Sequence, residues 1–366
     1  MLDTTSHDSL RPAAHAERAA LADDLAKLGD AQRALPSQPT PMTQLAGTAA
    51  PALQATDHSA RFLVPTDRRR WLQLALASIW VLDGILQCQT FMFSKDFSAS
   101  FLSGMAEGNP NWIASSILWA ARIVGTNPVL INAGFATLQL AIGVAVAFRP
   151  TLRTALAASI VWSLVVWWFG EGLGLLLAGG ASALAGAPGA VLLYALLAVL
   201  AWPTMKDTST SFVAARPVGV PAAKLIWVIL WGGLAALNLQ PSRLTAGSVH
   251  SMVSGRGDGQ PGWLRFLIDG FARISDHNGV ALNIVGAVIL GLIAVGIFLP
   301  SRWTRAVVIS GVIVAAFIWV IGEALGALFG GRGTDVNSGP LLALIALAYW
   351  PGGGAAATTT STGVSE

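Results

Sequence analysis

Eight apolar stretches organise this sequence, at about 71–93, 128–148, 154–178, 187–203, 224–239, 279–299, 306–329 and 339–350. A crossing of the bilayer core takes about 20 apolar residues. The chain therefore reads as all-α and polytopic, with about eight transmembrane helices. The fourth, fifth and eighth stretches are shorter, as expected of spans that are less tilted or partly interfacial.

The eight stretches are four read twice. VVWWFGEGLG (165–174) and FIWVIGEALG (317–326) match Trp167 with Trp319, Gly170 with Gly322, Glu171 with Glu323 and Gly174 with Gly326, all 152 residues apart. IWVLDGILQCQ (79–89) and LWGGLAALNLQ (230–240) match Trp80 with Trp231 and Gln89 with Gln240 at a separation of 151. Pro110, Trp112, Ile117, Ala121, Arg122 and Asn132 meet Pro261, Trp263, Ile268, Ala272, Arg273 and Asn283 at that same separation. Both fourth stretches end in Trp-Pro, at 202–203 and 350–351. The spacing predicts two tandem four-helix repeats, 71–203 and 224–351.

Four spans per repeat is an even number, so both copies face the same way, as parallel repeats. Arg68, Arg69 and Arg70 precede the first stretch. Arg149 and Arg153, then Lys206, Arg216 and Lys224, then Arg302 and Arg305 fall on the same side. The positive-inside rule makes that side cytoplasmic, with both termini there. In the opposite loops WIASSILWAARI (112–123) and WLRFLIDGFARI (263–274) read as helices lying on the membrane surface. Arg265, Asp269 and Arg273 share one face at ion-pairing distance along the second of these.

Only 11% of the residues are charged against 54% apolar, and the mean hydropathy is +0.62. A soluble domain carries about 25% charged residues, which makes the lipid bilayer the first expected partner. A net charge of +3 is too small to argue for nucleic acid. One cysteine, Cys88, rules out an intramolecular disulfide and a thiolate zinc or iron–sulfur centre held by this chain alone. No histidine falls in an apolar stretch, which argues against a bis-histidine haem. The glycines of 170–189 lack a following Gly-Lys-Ser/Thr, so they form no phosphate loop. No catalytic arrangement, resident cofactor or metal is expected. Residues 1–67 hold eight Asp/Glu among Ala, Pro, Thr and Ser. They read as a disordered cytoplasmic tail without a signal peptide, and 352–366 read as a second disordered tail.

A carboxylate inside a span costs at least about 2.5–3.5 kcal/mol and marks function by default. Asp83, Glu171 and Glu323 are the three candidates, all expected in the outer half of the membrane. One reading makes them a protonatable or cation-binding set. The other makes each Glu a structural bond to a neighbouring backbone or to the loop arginine of its own repeat, Arg122 or Arg273. Asp83 is the most suggestive, because its repeat counterpart is Leu234. Gln87, one turn beyond Asp83, offers an amide for bonds between helices. Trp167 and Trp168 read first as an aromatic belt.

The segments Trp80-Val81-Leu82-Asp83-Gly84, Asn127-Pro128 and Phe169-Gly170-Glu171-Gly172 resemble the DoxX-like family of four-helix bacterial membrane proteins. The likeness covers 71–203 and, more weakly, 224–351. Family members commonly carry a Lys where this chain has Gln87. The resemblance implies the bacterial inner membrane and the fold of the small subunit of thiosulfate:quinone oxidoreductase. It also implies a membrane component of a redox, metal- or thiol-handling system that works with a partner protein. A proton- or cation-coupled carrier of small solutes and a scaffold without chemistry are the alternative expectations.

Overall fold

The computed structural model describes residues 67–204 and 212–352. Apart from Asp67 and Gly352, both expected tails lie outside the described residues, as does Lys206. The described chain is helical, without a strand among those residues.

Twelve α-helices follow in order: α1 Arg68–Leu86, α2 Asn111–Thr126, α3 Pro128–Ala147, α4 Leu152–Phe169, α5 Ala190–Leu200, α6 Ala215–Val218, α7 Val220–Asn238, α8 Ser248–Val253, α9 Gly262–Ser275, α10 Gly279–Gly296, α11 Ser301–Phe317 and α12 Ser338–Ala348. Their starts follow local chemistry. Asp67 caps α1 by accepting from the Arg69 amide, and Asn127 caps α3 by accepting from Leu130, with Pro128 in the first turn.

Five helical segments among the described residues are long and apolar enough to cross a membrane: α3, α4, α7, α10 and Ser301–Gly322, which joins α11 to its short continuation. Only 28–39% of each is buried in the protein. Val129, Leu130, Leu292 and Val295 are among the apolar side chains left facing outward, the surface that lipid covers. The chain is thus a helical membrane protein.

Of the eight expected spans, five stand out by length and apolar character among the described residues. At 11 residues each, α5 and α12 extend roughly 16 Å at 1.5 Å per residue, well short of a bilayer core of about 30 Å. The fifth stretch is longer than its apolar run suggested, because Val220 and Pro221 start α7 ahead of Lys224 and give it 19 residues. α1 also has 19 residues, but three arginines and Asp83 set it apart from the five apolar spans.

α1 packs along α3, and α7 along α10; α4 packs on α5, and α11 on α12. The two short helices, α5 and α12, also pack on each other. One apolar core joins them, with Leu76 and Trp80 of α1, Leu193 and Leu197 of α5, Trp227 and Trp231 of α7, and Leu341 and Ile345 of α12. The expected outer-loop helices form as α2 and α9. On α9 Arg265 Nε lies 3.3 Å from Asp269 Oδ2, and Arg265 Nη2 lies 3.7 Å from Asp258. Arg273 takes no part in these ion pairs.

The third stretch of each half ends sooner than its hydropathy suggested. α4 stops at Phe169, and Leu173 and Gly174 turn left-handed at φ/ψ 56/36 and 62/24. After Gly322 the same turn recurs at Leu325 and Gly326, at 56/36 and 72/18. A left-handed leucine is sterically unfavourable. The surrounding bonds hold it: Trp167 Nε1 donates to the Pro188 carbonyl at 2.8 Å, and Trp319 Nε1 to that of Val336 at 2.9 Å. These indoles tie down the segment before the next helix, a role beyond the aromatic belt expected of Trp167.

The segments that follow the two turns cross over. From the first half, the carbonyls of Gly180 and Ala181 accept from Arg243 beyond α7, and Leu184 packs beside the core of Val249, Leu264 and Ile268. From the second half, the Gly333 carbonyl accepts from Gln89 Nε2 at 2.8 Å, and Arg332 lies over the Phe91 ring.

Candidate functional site

This crossover assembles the candidate site. Asp83 sits near the carboxyl end of α1, 2% exposed, and its Oδ2 accepts the hydroxyl of fully buried Tyr194 on α5. The Tyr194 ring packs on Trp80 at 4.7 Å between centroids, and Trp80 donates to Ser159 Oγ of α4 at 2.9 Å. The other oxygen, Asp83 Oδ1, is buried without a well-formed hydrogen bond, and the Val336 backbone also faces this carboxylate.

Glu171 and Glu323 lie at the breaks after α4 and α11, each turned towards the amino end of the next helix. There the first backbone N–H groups have no partner within the helix, and a carboxylate suits them. Glu323 is fully engaged. Its Oε1 accepts from the Ser338 amide at 3.0 Å and from the Ser338 hydroxyl, and its Oε2 accepts from the Gly339 amide at 3.0 Å. Glu171 has one well-formed bond, Oε1 from the Val191 amide at 3.3 Å; the Ala190 backbone also acts on the carboxylate, and Oε2 is buried without a well-formed bond. One short turn separates the two carboxylates. A Cβ on Gly186 would stand 2.7 Å from Glu323 Oε1, and one on Gly189 would stand 2.3 Å from Glu171 Oε2.

A fourth acid, Asp335, completes the group and was not among the sequence candidates. It lies in the second half's crossing segment, close enough for its charge to act on Asp83, Glu171, Glu323 and Tyr194. Thr334 Oγ1 donates to Asp335 Oδ2 at 2.8 Å and the Asn337 amide to Oδ1 at 2.6 Å. Burial pushes the Asp335 carboxyl above its ordinary value, and these two bonds oppose the shift. Its signal in the sequence was weak: an acid in a polar loop usually faces water.

Gln87 is buried one turn along α1. Its backbone carbonyl accepts from Asn132 Nδ2 of α3 at 2.7 Å, while its own Oε1 is unpartnered. Asn132 Oδ1 and Gln139 Oε1 on α3 are likewise buried without partners. At the same contact α1 and α3 approach closely, with Leu140 Cγ 2.6 Å from where a Gly84 Cβ would be.

Comparison of the chain with protein-family models, curated proteins and solved structures finds no match. Arg122 and Arg273 stay exposed on α2 and α9, away from the carboxylates. The two Glu side chains are held by backbone amides instead. No ion pair reaches Asp83, Glu171, Glu323 or Asp335 among the described residues. Nor do three or more His, Cys, Asp or Glu side chains there converge as a metal-binding group. Cys88 is exposed, its thiol directed to the Gly84 carbonyl.

The two halves also differ at the Asp83–Tyr194 contact. Counting from the matched Trp-Pro ends, Tyr194 corresponds to Leu342 as Asp83 corresponds to Leu234. Both leucines are buried in the common core. An acid–phenol pair in one half stands where the other has two leucines.

Proposed function

We propose that this chain is a proton-coupled carrier of a small solute, working through Asp83 and Glu171. One observation carries the reading: Asp83 Oδ1 and Glu171 Oε2 are buried acceptors without a well-formed hydrogen bond, beside Glu323 and Asp335, and no ion pair among the described residues reaches any of the four. Like charges held close in low dielectric do not all remain ionised. Such a group takes up a proton, or a solute that presents donors. Glu323, with every oxygen engaged, serves as the structural copy.

In this reading the chain forms two parallel four-helix repeats in a bacterial inner membrane, with both termini cytoplasmic. Support comes from the matched helix pairs, the matched left-handed turns and the arginines gathered at one end. Binding sites between repeated bundles are a recurrent carrier design. The test is uptake by vesicles containing the purified chain, under an imposed pH gradient, against a panel of labelled amines, amino acids and sugars. Gradient-driven uptake that Asp83→Asn abolishes supports the carrier. Gradient-independent behaviour towards the whole panel overturns it.

The DoxX-like resemblance carries the second reading, a membrane component of a redox or thiol-handling system with a partner protein. Mass spectrometry and absorbance of the chain purified from native membranes test that reading. A scaffold would tolerate the Asp83 and Glu171 substitutions without any functional loss.

A further inference from the structure

At the end of the molecule away from the acids, a crevice of about 480 Å³ opens between α1 and α12. Its size falls in the range of ligand pockets, about 300–1,000 Å³. Trp71, Leu72, Leu344, Leu347 and Trp350 line it, and Arg68 is the charged residue at its edge. Trp71 is 56% exposed and Leu347 40% exposed, so the crevice is open towards the lipid side.

The three arginines at this end have different duties. Arg69 donates to the carbonyls of Trp202 and Thr204 at 3.4 and 3.3 Å, beyond α5. Arg70 donates to Gln73 Oε1 at 3.4 Å and to the carbonyls of Val146 and Ala147, ending α3. Arg68 uses Nη1 alone, towards Trp350 and Pro351 at 3.5 and 3.1 Å. Its Nε and Nη2 donors remain free on an exposed side chain. The adjacent acid, Asp67, is already paired with Arg216 at 3.1 Å. Among the described residues no acid pairs with this guanidinium, which stands at the mouth of an apolar cleft flanked by two tryptophans.

We propose that this crevice binds one anionic glycerophospholipid, with an acyl chain along Leu72, Leu344 and Leu347 and the phosphate on Arg68. The charge complementarity selects the lipid class. A guanidinium binds phosphate with two parallel N–H donors, and basic pockets between membrane helices recognise anionic headgroups. Tryptophan suits the headgroup level, where one ring edge is apolar and the other wet. The inference is independent of the carrier reading, because none of these residues touches the acids.

The experiment is native mass spectrometry and thermal unfolding of the full chain in neutral detergent. Phosphatidylglycerol, phosphatidylcholine of identical chains, and glycerol phosphate are added in turn. Phosphatidylglycerol should be retained at one per chain and raise the unfolding midpoint; the other two should do neither. Arg68→Gln, which keeps a donor for Pro351, should weaken retention about five-fold. Leu347→Trp, which fills the crevice from a half-exposed position, should abolish retention while leaving the lipid-free midpoint near that of the wild type. Equal shifts with the choline lipid overturn the proposal, as does unaltered retention in both variants. A lipid-free dimer would assign the crevice to a second copy and overturn it too. A shift with glycerol phosphate alone would show a simple phosphate site and refute the acyl-chain part.

Discussion

Tyr194 on α5 donates its phenolic hydrogen to Oδ2 of Asp83 on α1, and both side chains are buried. The pair joins two helices of the first half at the level where the second half's crossing segment brings Asp335. It therefore links the fold of one half to the chemistry of the shared site.

Breaking this pair from one side should cost more than removing it whole. Asp83→Leu leaves the Tyr194 hydroxyl buried without an acceptor, a loss of about 1–3 kcal/mol. Asp83→Leu combined with Tyr194→Phe keeps the ring on Trp80 and imitates the apolar counterpart at Leu234. The double variant should regain most of the stability in detergent and still lack uptake. A double variant as unstable as the single one would show that the acid serves packing in some further way.

Glu171 and Glu323 should separate function from stability. Glu171→Gln removes charge from a side chain with a single bond, so folded yield should hold while uptake disappears. Glu323→Gln places an NH₂ group against an amide or hydroxyl donor, which should lower stability by about 1–3 kcal/mol. Unfolding midpoints and uptake measured on the same preparations check both. Loss of uptake only in Glu323→Gln would move the working site to the second half.

Gly189 has a φ of 109° and leaves no room for a side chain beside Glu171 Oε2. Gly189→Ala should displace that carboxylate and abolish uptake, with a fall in stability. Gly134, inside α3, has nothing within 4 Å of a prospective Cβ. Gly134→Ala should be neutral or stabilising by about 0.5–1 kcal/mol, and serves as the control for substitution in a spanning helix.

The raised carboxyl of Asp335 makes stability depend on pH in a definite direction. Its folded-state value lies above the ordinary 3.8, so the folded chain binds the proton more tightly than the unfolded one. This contribution is complete below that ordinary value and is lost as pH rises through the folded-state value. The unfolding midpoint should accordingly fall as pH rises above about 4, less steeply in Asp335→Asn. An identical slope in the variant would place the dependence on other groups.

The proposed parallel arrangement predicts labelling by a membrane-impermeant thiol reagent in a Cys88→Ser background. Single cysteines at the exposed positions 150 and 219 should react only from the cytoplasmic side, and those at 107 and 255 only from outside. Cytoplasmic reactivity at 255 would refute two repeats with the same orientation.

Apolar runs of membrane length were legible because lipid-facing positions are selected residue by residue, whatever the rest of the chain does. The matched Trp167/Trp319 and Glu171/Glu323 were legible for a related reason: a local bond between the end of one helix and the start of the next recurs wherever the same segment recurs. Helix ends were less so. Hydropathy runs unbroken through Leu173 and Leu325, although the backbone there turns left-handed under bonds made by residues further along.

The sequence by itself determined a helical membrane protein, its repeated segments and the three acids that stand out against an apolar background. It could not show which acids meet, because that depends on two crossing segments whose anchors lie in the opposite half. Only the tertiary structure brought Asp335 to Asp83, tied Glu323 to three donors and left Glu171 with one. It also left Arg122 and Arg273 outside, since α2 and α9 carry them on exposed faces while backbone amides reach the carboxylates first. Local solvent preference is written along the chain; the partner of a buried charge is chosen by whichever donor the completed packing brings within reach.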